Sequence, residues 1–193
     1  MDNVGTRNLT AVYIDGQYKV AQYGRWDGYP EGQGITCLRF CKTLRDKNAK
    51  EVFKEKVRCA RWITDEEIEL INKKIETKEI TNWKRIYPQL SRDICSKILY
   101  LIMEKEKGIV LANNIDFAAN SVFCEWAWVI DLDNNTFEAY CGFNEENLTE
   151  KDRFYFLHDK SKDIYPIRLV AKWSLNKLPS EKRFLDTFIN VNI

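Results

Sequence analysis

Asp27 and Glu31 stand four residues apart in the run Gln22-Tyr23-Gly24-Arg25-Trp26-Asp27-Gly28-Tyr29-Pro30-Glu31-Gly32-Gln33-Gly34. Two carboxylates so placed could serve as a general acid and base, or hold a divalent cation. The glycines let backbone approach a ligand closely, and Trp26 and Tyr29 offer flat faces for a base or a sugar ring. Gln22 and Gln33 add amides. The run leads into a helix expected near Ile35, and free N–H groups there and at Gly28 and Gly34 could hold a phosphate or carboxylate. A third carboxylate, Glu125, interrupts the apolar run 122–130. Such a carboxylate is costly unless paired, and Arg7 is a fitting partner. The candidate catalytic residues are therefore Asp27, Glu31 and Glu125. The candidate ligand-binding residues are Arg7, Gln22, Trp26, Asp27, Gly28, Tyr29, Gln33, Gly34 and Glu125. The plainer reading is a self-packed Ω-like loop with exposed or Arg-paired carboxylates.

Several chemistries are disfavoured. His158 is the only histidine, so any Ser-His-Asp or Cys-His mechanism would have to run through it. Its setting in the run 154–159 reads as structural or solvent-facing. Cys37, Cys41, Cys59, Cys95, Cys124 and Cys141 contain no Cys-x-x-Cys pair and read as reduced thiols among apolar neighbours. Neither a metal nor a cofactor is expected. The glycine spacing is not a dinucleotide fingerprint, because the strand before it belongs to a hairpin. A net charge of +1 and a pI near 7.5 give no global pull toward extended nucleic acid or an anionic membrane. No apolar run approaches the roughly 20 residues of a membrane-spanning helix, and the N-terminus has no secretory pattern. A cytoplasmic location is the expectation. An N-terminal nucleophile would be Met1 or Asp2, or Thr6 only after cleavage behind Gly5.

The elements that must position these residues follow from pattern. Residues 9–14 and 18–23 are β-rich and flank Asp15-Gly16, a two-residue hairpin turn. Helical spacing covers 35–44 and 49–62, and Thr64 to Glu67 is a capping box opening a helix over 65–76. Ser91 can cap a helix to about Lys105, with Ile94, Ile98, Leu101 and Ile102 on its buried side. A second hairpin joins 121–131 to 136–141 through Asp133-Asn134-Asn135, a further strand covers 165–175, and a short helix runs over 181–189. In the strand 121–131, alternation places Phe123, Glu125, Ala127 and Val129 on one face and Cys124, Trp126, Trp128 and Ile130 on the other. Trp62, Trp83 and Trp173 read as core or oligomer contacts. Strands, helices, strands and a helix make an α+β fold with an antiparallel sheet built from the terminal hairpins. Residues 1–193 read as one domain, in which 45–107 could form a helical insertion or subdomain.

The segments Gly5-Thr6-Arg7-Asn8-Leu9-Thr10, Lys19-Val20-Ala21-Gln22-Tyr23-Gly24 and Trp26-Asp27-Gly28-Tyr29-Pro30-Glu31-Gly32-Gln33-Gly34 resemble a group of uncharacterised bacterial, phage and fungal proteins. The stretch 121–131 and Leu178-Pro179-Ser180 resemble that group too. Arg25 departs from the Gln expected there. The resemblance implies a shared architecture at both sheet-forming ends and supplies no reaction.

Three function classes follow. The first is a binding protein for a small polar ligand, a nucleotide or nucleotide-derived molecule; a phage origin, at which the Lys-, Asn- and Ile-rich composition hints, would fit a sequestering (anti-defence) role. The second is a hydrolase or transferase working through Asp27, Glu31 and Glu125. The third is a protein-interaction inhibitor with the aromatic loop as its hot spot. A homo-oligomer is compatible with each.

Overall fold

The computed structural model of the chain describes residues 5–159 and 164–191. Met1 and Asp2 lie outside them, and Thr6 is buried. The first hairpin is β1 (Asn8–Ile14) and β2 (Gln17–Gly24). Asp15 and Gly16 both have left-handed backbone, with φ of 52° and 73°, as a tight two-residue turn requires. A π-helical turn, Pro30–Gly34, then feeds α1 (Ile35–Thr43). The Asp46 side chain accepts from the Ala49 N–H and opens α2 (Lys47–Arg58).

The helix expected over 49–62 ends early. Arg61 and Trp62 form β3 (Arg61–Trp62), which pairs in parallel with β4 (Val110–Leu111). Gly108 permits that crossing, since a Cβ there would lie 2.4 Å from the Cys59 carbonyl oxygen. The capping box stands as expected at α3 (Asp65–Glu76), and α4 (Trp83–Ile86) is a single turn. The helix expected from Ser91 is shorter too. Cys95 has φ 47°, and only after it and a 3-10 turn does α5 (Ile98–Glu104) begin. The kink lets Ser96 give its N–H to Gln33 Oε1 at 3.1 Å and share a 2.8 Å hydroxyl bond with Thr10.

The second hairpin is β5 (Trp126–Asp131) and β6 (Thr136–Cys141), followed by β7 (Arg168–Ser174) and α6 (Glu181–Asp186). The strand expected from 121 begins only at Trp126. The Asn120 side chain accepts from the Val122 and Phe123 N–H groups and bends the chain before it can extend.

The fold is α+β, with a mostly antiparallel sheet in the order β2-β1-β5-β6-β7. The two hairpins meet at one parallel junction, β1 beside β5. On one face α1, α2, α5 and α6 bury Leu38, Phe40, Phe53, Ile98 and Phe184 against Val12, Trp128, Ile130 and Phe137. On the other, Leu9, Ala11, Ala127, Val129 and Tyr140 lie under Phe154 and Ile167. The expected alternation holds within β5. Cys124 instead joins Ala127 and Val129, because the 121–124 turn breaks the period before it. Trp62 and Trp173 pack partly on the helix-side core. No helix among the described residues is long and apolar enough to cross a membrane.

α3 buries none of its residues and rides beside a hollow of about 350 Å³ lined by Ile63, Ile68, Ile71, Ile75, Trp83 and Leu90. With so little packing, its ends matter more than usual. Thr64→Ala is expected to remove about 1 kcal/mol. It should raise hydrogen exchange at Asp65–Glu76 more than in α5.

Candidate functional site

The glycine run is closed on itself. The Gly28 N–H donates to the Thr6 carbonyl at 3.0 Å, those of Gly32 and Gly34 to the Tyr29 carbonyl at 3.1 and 3.2 Å, and that of Gln33 to the Asp27 carbonyl at 2.8 Å. These are the groups expected to hold an anion. In this structure the N–H groups of Gly32, Gln33 and Gly34 are bonded within the loop, and that of Gly28 is bonded to Thr6. Gln33 ties the loop to its surroundings, donating from Nε2 to the Trp26 carbonyl and accepting the Ser96 N–H. Trp128 Nε1 donates to the Gly28 carbonyl at 3.2 Å, and Gly34 is buried against the same indole.

The side chains follow suit. Trp26 lies under the Arg25 guanidinium, 4.4 Å from its carbon, and donates from Nε1 to Asp93 at 3.2 Å. Gln22 is buried, and its Nε2 donates to the Tyr23 and Ser91 carbonyls. Asp27, Tyr29 and Glu31 are exposed. Arg7 and Glu125 are brought together: the Arg7 N–H and Nε donate to Glu125 Oε1 at 3.1 and 3.3 Å. Glu125 thus stands just before β5 as an ion-pair partner, while Arg7 also lies 5.0 Å from the exposed Phe123 ring. No group of three or more His, Cys, Asp or Glu side chains among the described residues could hold a metal ion. All six cysteines are free. Burial pushes the Cys37 thiol up to about 12 and raises Cys41 and Cys124 well above the ordinary range, so these thiols stay protonated and unreactive.

A different set of side chains converges at the opposite end of the sheet. Alternation along β6 puts Thr136, Glu138 and Tyr140 on the face away from the helices. Asp131 ends β5 on that face, Lys172 pairs across from Glu138 on β7, and Arg153 enters from the segment after β6. Arg153 Nε and Nη2 donate to the two Glu138 oxygens at 2.7 and 3.1 Å, and Nη2 also donates to Asp131 Oδ2. Glu138 further accepts from the Tyr140 hydroxyl at 2.7 Å, Thr136 Oγ1 at 3.0 Å and Lys172 Nζ at 3.0 Å. Asp131 accepts from the Asn134 N–H and amide, both at 2.8 Å.

Burial works against both carboxylates, yet Asn134 and Arg153 hold Asp131, and chiefly Arg153 holds Glu138, below the usual range. Burial opposes the Arg153 cation as well, and Glu138 outweighs it. The Tyr140 hydroxyl is raised by burial and by the neighbouring Glu138 charge. Burial lifts Tyr18 to about 12 against the pull of Arg153.

These residues border a cavity of about 450 Å³, whose walls also include Tyr13, Tyr18, Phe156, Asn134 and Lys151. Its rings are arranged rather than scattered: Tyr13 and Tyr18 meet edge to face at 5.1 Å, and Phe156 lies 6.2 Å from Tyr18. The Arg153 guanidinium sits 5.0 Å from the Tyr13 ring centre. The Tyr18 hydroxyl is buried beside the Arg153 guanidinium and makes no hydrogen bond of good geometry among the described residues. The sequence carries one signal of this cluster. Glu138 is a carboxylate in mid-strand, the very pattern for which Glu125 was singled out.

Comparison of the chain with protein-family models, with curated proteins and with solved structures gives no match.

Proposed function

We propose that this chain is a binding protein for a small polar ligand of the nucleotide or nucleotide-derived class, taken into the cavity beside Arg153. The observation that carries this reading is one space of about 450 Å³ in which Tyr13, Tyr18 and Phe156 share the walls with Arg153, Asn134 and the buried Tyr18 hydroxyl. Aromatic rings set among many charged groups, with Glu150 and Asp152 adding two further carboxylates, suit a ring-bearing polar molecule. Charge refines the reading. Arg153 and Lys172 are already offset by Asp131 and Glu138. A phosphate would find no free cation inside, and only the exposed Lys151 at the rim. The base and sugar are the parts that fit, with any phosphate outside. A chain that returns its ligand unchanged would act by sequestration, in keeping with the anti-defence role expected above. Turnover through Asp27, Glu31 and Glu125 has less support, since Glu125 is committed to Arg7.

Calorimetric titration with nucleosides and their 5′-monophosphates tests this. At least one nucleoside should bind, and its monophosphate within about threefold of it, with little salt dependence. Phe156 is 60% exposed, so Phe156→Ala should leave the fold intact while weakening affinity about tenfold by loss of stacking. Binding indifferent to Phe156→Ala, or no binding across the panel, overturns the proposal. A chemically altered ligand after incubation would move the chain to the enzyme class.

A further inference from the structure

Among the described residues, β7 closes one side of the sheet with β6 as its only strand partner. The Leu175 N–H donates to the Asn135 carbonyl at 2.9 Å, which fixes the phase of the ladder. Trp173 and Ala171 therefore turn their backbone groups toward β6, and Lys172 and Ser174 turn theirs outward. Beside this edge runs a groove of about 760 Å³. Trp173, Leu178 and Pro179 give it an apolar wall, and Lys177 and Arg183 give it cations, with no carboxylate in its lining; Lys172 borders it too, but its ammonium is held by Glu138.

Charge is concentrated here. Arg168, Lys172, Lys177, Lys182 and Arg183 fall within 168–183 of a chain whose net charge is only +1. The single acid of that stretch, Glu181, is held by Arg39 at 2.8 Å. Lysine on an edge strand also serves to discourage pairing between copies of a protein. That role needs neither an apolar-walled groove nor cations set beyond the strand on the 175–183 segment.

We propose that the β7 edge is a docking site for an extended acidic peptide, which adds to the sheet as a sixth strand. The outward N–H and carbonyl of Lys172 and the Ser174 N–H supply the ladder, which stops there because the Ser174 carbonyl already accepts the Lys177 N–H at 2.9 Å; Lys177 and Arg183 meet the acidic side chains, and alternate apolar residues lie on Trp173 and Leu178.

Fluorescence anisotropy with a labelled decapeptide of alternating Glu and Val tests the assignment. Saturable binding is expected, and methylation of alternate peptide nitrogens should abolish it. Lys177 and Arg183 are exposed, so the double variant Lys177→Glu/Arg183→Glu should melt like the wild type. It should bind the peptide at least about tenfold more weakly. Neither residue lines the Arg153 cavity, so nucleoside binding should be unchanged in that variant whatever the fate of the preceding proposal. Equal binding of the methylated peptide, equal binding of a Lys–Val decapeptide, or no binding overturns the assignment. Preference for oligothymidylate over the peptide overturns it too, and would mark the groove as a nucleic-acid site.

Discussion

Arg153→Met is expected to destabilise the chain by about 3–5 kcal/mol at neutral pH, the cost of leaving a buried charge without its partner. The variant leaves Asp131 without a cation and Glu138 with only the half-exposed Lys172. Asp131 and Glu138 are essentially inaccessible to solvent, and Arg153 binds both. Methionine keeps the length of the stem, so lost packing contributes little. In the wild type both carboxylates ionise more readily folded than unfolded. Their contribution is therefore present above the unfolded values of about 3.9 and 4.3, and is lost as the pH falls through the lower folded values. The variant should behave in the opposite sense, because carboxylates buried without Arg153 prefer to be protonated. Its deficit relative to wild type should shrink between about pH 7 and pH 4. Denaturant unfolding across that range reads the result directly. Adding Asp131→Asn and Glu138→Gln to Arg153→Met should recover more than half of the loss. A pH-independent deficit, or no recovery, would mean that the guanidinium acts through packing and not through charge.

The second large effect is expected at Gly32. A Cβ there would stand 2.3 Å from the Asp27 carbonyl oxygen and 2.9 Å from Asp27 Cβ, so the obstacle is mainly backbone that cannot swing aside. Gly32→Ala must open the turn, and with it the Gln33 N–H bond to Asp27 and the seat of Trp128 on Gly28. A loss of about 3 kcal/mol is expected, at the upper end of overpacking costs. Gly16 is the control. It meets no atom within 4 Å but has φ 73°, so Gly16→Ala should cost only about 1 kcal/mol, through backbone strain alone. Thermal melts followed by tryptophan fluorescence would separate the two. A Gly32→Ala chain as stable as wild type would show the loop to be pliant, and would restore it as a place where a ligand enters.

Local patterns carried the parts of this fold that local chemistry decides. Asp15-Gly16 announces its hairpin because few residue pairs accept two left-handed conformations, and Thr64 with Glu67 announces α3 because both halves of the cap lie within one turn. Where remote partners decide, the pattern misled. Nothing near Arg61 says that Val110 waits to pair with it, and nothing near Cys95 says that the chain must kink to bring Ser96 to Thr10 and Gln33. The glycine run is the sharpest case. The same composition serves a loop that embraces a ligand and one that embraces Thr6, Trp128 and Ser96, and only the tertiary partners tell them apart. The Arg153 cavity stayed hidden because its members come from β1, β2, β5, β6, β7 and the segment after β6, far apart in the chain. Glu138 carried the signal, but no neighbour in sequence said which arginine would answer it.

The parallel junction of β1 with β5 has a consequence for how the chain is made. The first hairpin leaves the ribosome ahead of β5, with Leu9, Ala11 and Val12 bare, and more than a hundred residues must follow before Trp126 to Asp131 can lie beside it. At about 5–20 residues per second that wait lasts several seconds or more. During it the open flank of β1 is a strand without a neighbour, able to pair with the same segment of another nascent chain. Low temperature or a chaperone during production should therefore raise the soluble yield more than any substitution on the finished surface.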